Sequence, residues 1–145
     1  MWSDDDGPFD GTHYQLGRTL NSPQSLSRPH PPILIGGAGE KKTLLLVARY
    51  ADACNIFDTP ELARKLDVLR EHCASEGRDY AEIEKTAQTR FDLGEHGERV
   101  EQTIEHLHQL SELGIQVAHG TVIGAGSLHP LDLMAERVIP AVEKF

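Results

Sequence analysis

Short apolar segments alternating with stretches of helical periodicity predict an α/β fold with a parallel sheet, because a strand–helix–strand succession returns each strand in the same direction. Two further observations support that class. The first segment is a continuous apolar run, as a strand buried on both faces requires, the second is a short apolar run, and glycines and prolines fall at the element ends.

Residues 1–32 contain Gly7, Pro8, Gly11, Gly17, Pro23, Pro29, Pro31 and Pro32 without helical periodicity, and are expected to form an extended or short-hairpin lead-in. The main domain is expected over 33–145. Ile33-Leu34-Ile35, closed by Gly36-Gly37, predicts its first strand. Leu44, Val47 and Ala48 then share a helical face over 40–50, and residues 51–57 form the second apolar run. Thr59 is the expected N-cap and Pro60 the first residue of the next helix, whose stripe of Leu62, Leu66, Leu69 and Cys73 ends at Gly77. Residues 84–91 predict a third strand. A helix over 98–113 places Val100, Ile104, Leu107 and Leu110 on one side and stops at Gly114; residues 115–122 form the fourth strand. A last helix from Pro130 carries Leu131, Met134 and Val138, with a bend or stop at Pro140. Periodicity leaves open whether such a sheet is doubly wound or part of a barrel.

Composition excludes several classes of function. With 39% hydrophobic and 26% charged residues the chain has a core and is not disordered. The net charge of −9, with 14 scattered basic residues, argues against a nucleic-acid groove. No segment approaches the roughly 20 apolar residues of a membrane span, and the acidic N-terminus lacks the pattern of a signal peptide, so the expected location is the cytoplasm. Cys54 and Cys73 are far apart and read as reduced core residues. His106 and His108, two apart on a helix, are no metal pair, and Asp4-Asp5-Asp6 reads as a solvated loop; no metal site is expected.

Chemistry concentrates in Ile33-Leu34-Ile35-Gly36-Gly37-Ala38-Gly39-Glu40-Lys41-Lys42-Thr43. A glycine turn between a strand and a helix lets backbone amides approach a phosphate, and the helix dipole adds roughly half a positive charge there. Neither well-known phosphate pattern is present: Gly39 is followed by Glu40, not the Lys of a P-loop, and Gly37-Ala38-Gly39 leads to Lys42 where a dinucleotide fingerprint needs glycine. His119 and Asn55, at strand ends, are weaker candidates for ligand contact.

The wording of this segment, from Pro31-Pro32 through Thr43-Leu44 and on to Leu46-Val47-Ala48-Arg49-Tyr50-Ala51-Asp52-Ala53-Cys54-Asn55, resembles the luciferase-like monooxygenase family. It is closest to the branch that uses the deazaflavin coenzyme F-420. Gly7-Pro8-Phe9-Asp10-Gly11-Thr12-His13-Tyr14, Ser22-Pro23-Gln24 and Ile83-Glu84-Lys85-Thr86 resemble that branch too. The resemblance implies the C-terminal half, about four strands, of a TIM-type (β/α)8 barrel, with Ile33–Gly37 as its fifth strand. It implies a cofactor-phosphate site at Gly36, Gly37, Ala38, Gly39 and Glu40, with Lys41 and Asn55 as additions, and coenzyme F-420, or alternatively FMN, as the cofactor. The implied activity is hydride transfer between deazaflavin and a small organic substrate. The alternatives are an FMN-dependent monooxygenase, or a non-catalytic half-barrel module. At 145 residues the chain is about 60% of the roughly 250 typical of a closed barrel. It is therefore expected to be a truncated form, with Met1 internal to a longer reading frame. Two open sheet edges and an uncovered face then predict pairing with a second copy or with a separate N-terminal half.

Overall fold

The computed structural model describes Trp2 and residues 5–145. Met1 and Asp4 lie outside the described residues. The chain divides into two compact units at residue 33. The first holds a small antiparallel ribbon of β1 (Phe9–Asp10) and β2 (Gln15–Leu16), closed by the Gly11 amide bonding the Tyr14 carbonyl at 2.9 Å. The remaining acidic residues of its N-terminal run are engaged locally: Asp5 accepts from the Gly7 amide and Asp6 pairs with Arg18.

The second unit is a parallel sheet in simple sequential order: β3 (Leu34–Gly36), β4 (Ala53–Phe57), β5 (Glu84–Phe91) and β6 (Val117–Val122). Its crossovers are α1 (Thr43–Tyr50), α2 (Leu62–Glu76) and α3 (Val100–Glu112). Leu44, Val47 and Ala48 of α1 and Leu62, Leu66, Leu69 and Cys73 of α2 are buried against Cys54, Ile56 and Ala87 of the strands. Each fully buried Leu or Ile in that layer contributes about 1.5–3 kcal/mol relative to exposure. A second cluster, Leu93, Val100 and Val138, joins α3 to the C-terminal helices.

All helices that contribute to the main core pack on one face. The strand period of two sends Leu34, Asn55, Phe57, Gln88 and His119 to the other, where Leu34 is 51% and Phe57 61% exposed. Among the described residues β3 and β6 each have one neighbouring strand, so both edges are open.

Local chemistry moves several expected boundaries. The α1 helix starts at Thr43, not at 40, because the Leu44 amide reaches back to the Gly39 carbonyl and residues 40–42 form a turn. Thr59 does not cap α2: its carbonyl accepts from the Leu62 amide in a preceding turn, and Glu61 occupies the cap position. The last helix is split into α4 (His129–Leu133), a π segment (Met134–Val138) and α5 (Ile139–Val142), with the Ile139 amide bonded to the Met134 carbonyl. Pro140 has no N–H to give one turn back, and the ladder widens before it. At Gly77, φ of 68° with the Arg78 amide closing on Cys73 gives the expected left-handed stop.

Candidate functional site

The uncovered face and the turn after β3 meet at the C-terminal ends of the strands. Register aligns Gly36, Asn55 and Thr86 in one row across that face and Phe57, Gln88 and His119 in the next. Gly36, Gly37, Asn55, Phe57 and Gln88 line an open depression of about 550 Å³. Thr86 Oγ1 lies 2.9 Å from the Cys54 carbonyl and 3.0 Å from Asn55 Oδ1. A hydroxyl has one proton, so the carbonyl and the Asn55 side chain compete for it, and the contact fixes the Asn55 rotamer at the rim of the depression. His119 lies in mid-strand, exposed, because β6 runs on to Val122; it is not at a strand end as the sequence suggests.

In the turn, the two adjacent glycines differ. Gly37 has φ of 121°, and a methyl there would lie 3.3 Å from Thr43 Cγ2. Its amide donates to the Asn55 carbonyl at 2.9 Å and continues the sheet, so Gly37 shapes the turn without offering an N–H. Gly36 has nothing within 4 Å of a built Cβ, and side-chain atoms added there would enter the open face. At Gly39 a Cβ would come within 2.8 Å of Thr43 Oγ1. Among the described residues, the amides of Ala38, Gly39, Glu40 and Lys41 have no acceptor within the chain. Lys41 and Lys42 are exposed.

Glu40 was expected at this turn, but its partners were not. Its carboxylate accepts from Lys65 Nζ at 2.5 Å and Arg64 Nη2 at 3.0 Å, and its carbonyl accepts from His72 Nε2 at 2.7 Å. The Lys65 hydrogen bond, aided by the charge of Arg64, holds the Glu40 carboxyl below the usual glutamate range. The negative charge nearest the turn is thereby matched by two cations of α2. Lys65 and His72 are seven residues apart, two turns along one helix face, which is the only sequence signal of this brace.

A second polar cluster lies on the helical side of the sheet. Asp58 Oδ2 accepts from Thr89 Oγ1 and His106 Nε2, each at 2.6 Å, and the Asp58 amide bonds the Gln88 carbonyl. It ties the β4–α2 connection to α3. His108 instead stacks edge-on against Phe145, with 4.9 Å between centroids, and no metal-competent group of His, Cys, Asp and Glu occurs among the described residues. No helix among them is long and apolar enough to cross a membrane.

Residues 1–138 match the family model for luciferase-like monooxygenases. Uncharacterized proteins of Mycobacterium tuberculosis and Mycobacterium bovis are 29% identical over 82 residues, 54% of this chain and 28% of their own length. Among solved structures, an F-420-dependent secondary alcohol dehydrogenase in complex with an F-420–acetone adduct superposes with a TM-score of 0.76 at 16% identity, over 97% of this chain and 57% of that one. Riboflavin lyase, with modified FMN and riboflavin, gives 0.73 at 12% identity, over 94% and 48%. A monooxygenase from Streptomyces bottropensis gives 0.52 at 17%, over 99% and 39%. The chain thus spans about half the length of the first two of these structures. They share its fold, in which the four strands and their helices make half of a β/α barrel. The family match extends from the lead-in through all four strands and the glycine turn, and with it the chain belongs to the luciferase-like monooxygenase family.

Proposed function

We propose that the turn Ala38–Lys41 binds the phosphate of a deazaflavin or flavin cofactor, and that the chain serves an oxidoreductase acting on a small organic substrate. One observation carries this reading: successive amides of the turn lack acceptors among the described residues while the one acidic side chain in it is turned away onto Arg64 and Lys65. The residues fit an anion. Gly36 leaves room that a side chain would fill, a Cβ at Gly39 would press on Thr43 Oγ1, and the N-terminus of α1 adds its dipole. In the solved structures of the same fold, one protein holds an F-420 adduct and another a modified FMN.

Ala38, Gly39, Glu40 and Lys41 would hold the phosphate, with Gly36 and Gly37 shaping the approach and Asn55, at the rim of the adjoining depression, offering its amide to the rest of the cofactor. When bound, a deazaflavin supplies two-electron hydride transfer, the activity we favour, whereas FMN also supports oxygen insertion. The chain's residues bind and orient; the depression beside Gly36 and Gln88 is open, so water is excluded only once further protein covers the face.

The bare inner face and two open edges favour a second reading, in which this chain is a half-barrel module completed by a second copy or by a separate N-terminal half. Two free buried thiols accord with the cytoplasm as its location.

Titrating the purified chain with FMN and with the deazaflavin coenzyme, with mass followed by light scattering, tests the proposal. Saturable binding by a defined species, abolished by Gly37→Asp and Gly39→Asp, is expected. Turnover by that species supports the enzyme; binding with turnover only after a partner is added supports the module. Binding unaffected by either substitution would remove the turn from the site.

A further inference from the structure

We propose that His72, on α2, is a positioning residue for the phosphate turn: by donating to the Glu40 carbonyl it aims the Lys41 amide at the ligand. This rests on the reading of the turn as a phosphate site and assigns that site a determinant outside the glycine segment.

The Glu40 carbonyl can only accept, so the 2.7 Å contact requires the proton on His72 Nε2, which fixes the ring's tautomer. In a trans peptide the C=O and the following N–H point in opposite directions. A donor on α2 that draws the Glu40 carbonyl toward itself therefore turns the Lys41 N–H away from α2. The preceding peptide is set in the same way. The Leu44 amide holds the Gly39 carbonyl at 3.0 Å, so the Glu40 N–H points away from the first turn of α1. Two consecutive donors are thus oriented by bonds made on the far side of their own peptide planes, before any ligand arrives. A hydrogen bond at the carbonyl also polarises the amide and strengthens the donor opposite.

The rest of the α2 face serves the same end. Lys65 and Arg64 take the Glu40 carboxylate, which would otherwise lie next to an incoming phosphate. His72 is part-buried and stands beside Cys73 at the end of the buried stripe, so the rigid core of α2 sets its position. Beyond the Leu44 amide on the Gly39 carbonyl, the turn has no side-chain cap of its own: Lys42 caps α1 without any side-chain bond.

The test uses the full chain labelled with ¹⁵N, wild type, His72→Ala and His72→Gln, each titrated with FMN and with inorganic phosphate while the Glu40 and Lys41 amide resonances are followed. Wild type should show saturable movement of both. His72→Ala should weaken FMN binding roughly three- to tenfold, the loss expected for one neutral hydrogen bond. Its Lys41 response should fall more than its Glu40 response. His72→Gln, whose carboxamide can donate, should recover most of both, and melting temperatures should not follow the binding order. Equal binding by all three chains, or a glutamine variant no better than alanine, would overturn the role of His72 and leave the phosphate site standing. Absence of any saturable movement in wild type would defeat the phosphate reading itself and this inference with it. A ligand-free Lys41 resonance identical in wild type and His72→Ala would separately refute the claim that His72 orients the peptide.

Discussion

Gly36 and Gly37 are neighbours of the same residue type, and the structure predicts opposite results for replacing each with alanine. At Gly37, φ of 121° is a conformation that costs a residue with a Cβ about 1–3 kcal/mol, and the new methyl would press on Thr43 Cγ2 at 3.3 Å. We expect Gly37→Ala to destabilise by about 2 kcal/mol. At Gly36 the backbone is ordinary strand and the methyl meets nothing within 4 Å, so alanine mainly restricts the unfolded chain, a gain of about 0.4–1 kcal/mol. The gap of about 2–3 kcal/mol corresponds to roughly 1–2 M in urea midpoint at the slopes usual for small proteins. Circular dichroism is the suitable probe, because the single tryptophan, Trp2, lies in the other unit. Gly36→Ala should still weaken cofactor binding, since its methyl projects into the open face. Equal destabilisation by the two substitutions would refute the account of the turn.

Acid sensitivity should trace partly to Glu40 and Glu76, whose hydrogen bonds to Lys65 and Arg49 respectively hold them below the ordinary value near 4.5. Such groups stabilise fully above that value, and the contribution fades as pH falls through the lowered one. Glu40→Gln should therefore narrow the difference in urea midpoint between pH 7 and pH 3, and an unchanged difference would contradict the pairing. Burial pushes the Cys54 and Cys73 thiols up, so neither should react with a thiol reagent at neutral pH until the chain unfolds; rapid labelling of either in the native chain would count against the packing of α2 on β4. Gly120→Ala would bring a methyl to 2.4 Å from the Thr89 carbonyl oxygen, and should cost about 1–3 kcal/mol in urea unfolding, where a neutral result would show that β6 is not seated on β5 as described.

The alternation of elements was legible because it depends on local periodicity. β5 occupies the predicted residues 84–91, and the α2 stripe from Leu62 to Cys73 is buried as its spacing implies. What the spacing could not supply is contact between elements. Nothing near Glu40 in sequence announces His72, 32 residues on, and Asp58 gives no sign of His106, 48 residues on. The glycine turn was visible as a motif, yet its chemistry is divided in a way that residue type cannot show: Gly37 spends its amide on Asn55, Gly36 contributes space, and the free donors follow them. The shifted start of α2 and the π segment before Pro140 have a similar origin, since each depends on which carbonyl a particular amide reaches.

On the proposed reading, this chain holds its cofactor through the phosphate. The direct measurement is a calorimetric comparison of FMN with riboflavin, which carries the same ring and side chain without the phosphate. Saturable binding of FMN is expected, with a loss of at least about tenfold for riboflavin, the size of one or two charge-assisted hydrogen bonds. Equal affinity for the two, or binding of neither, would contradict it.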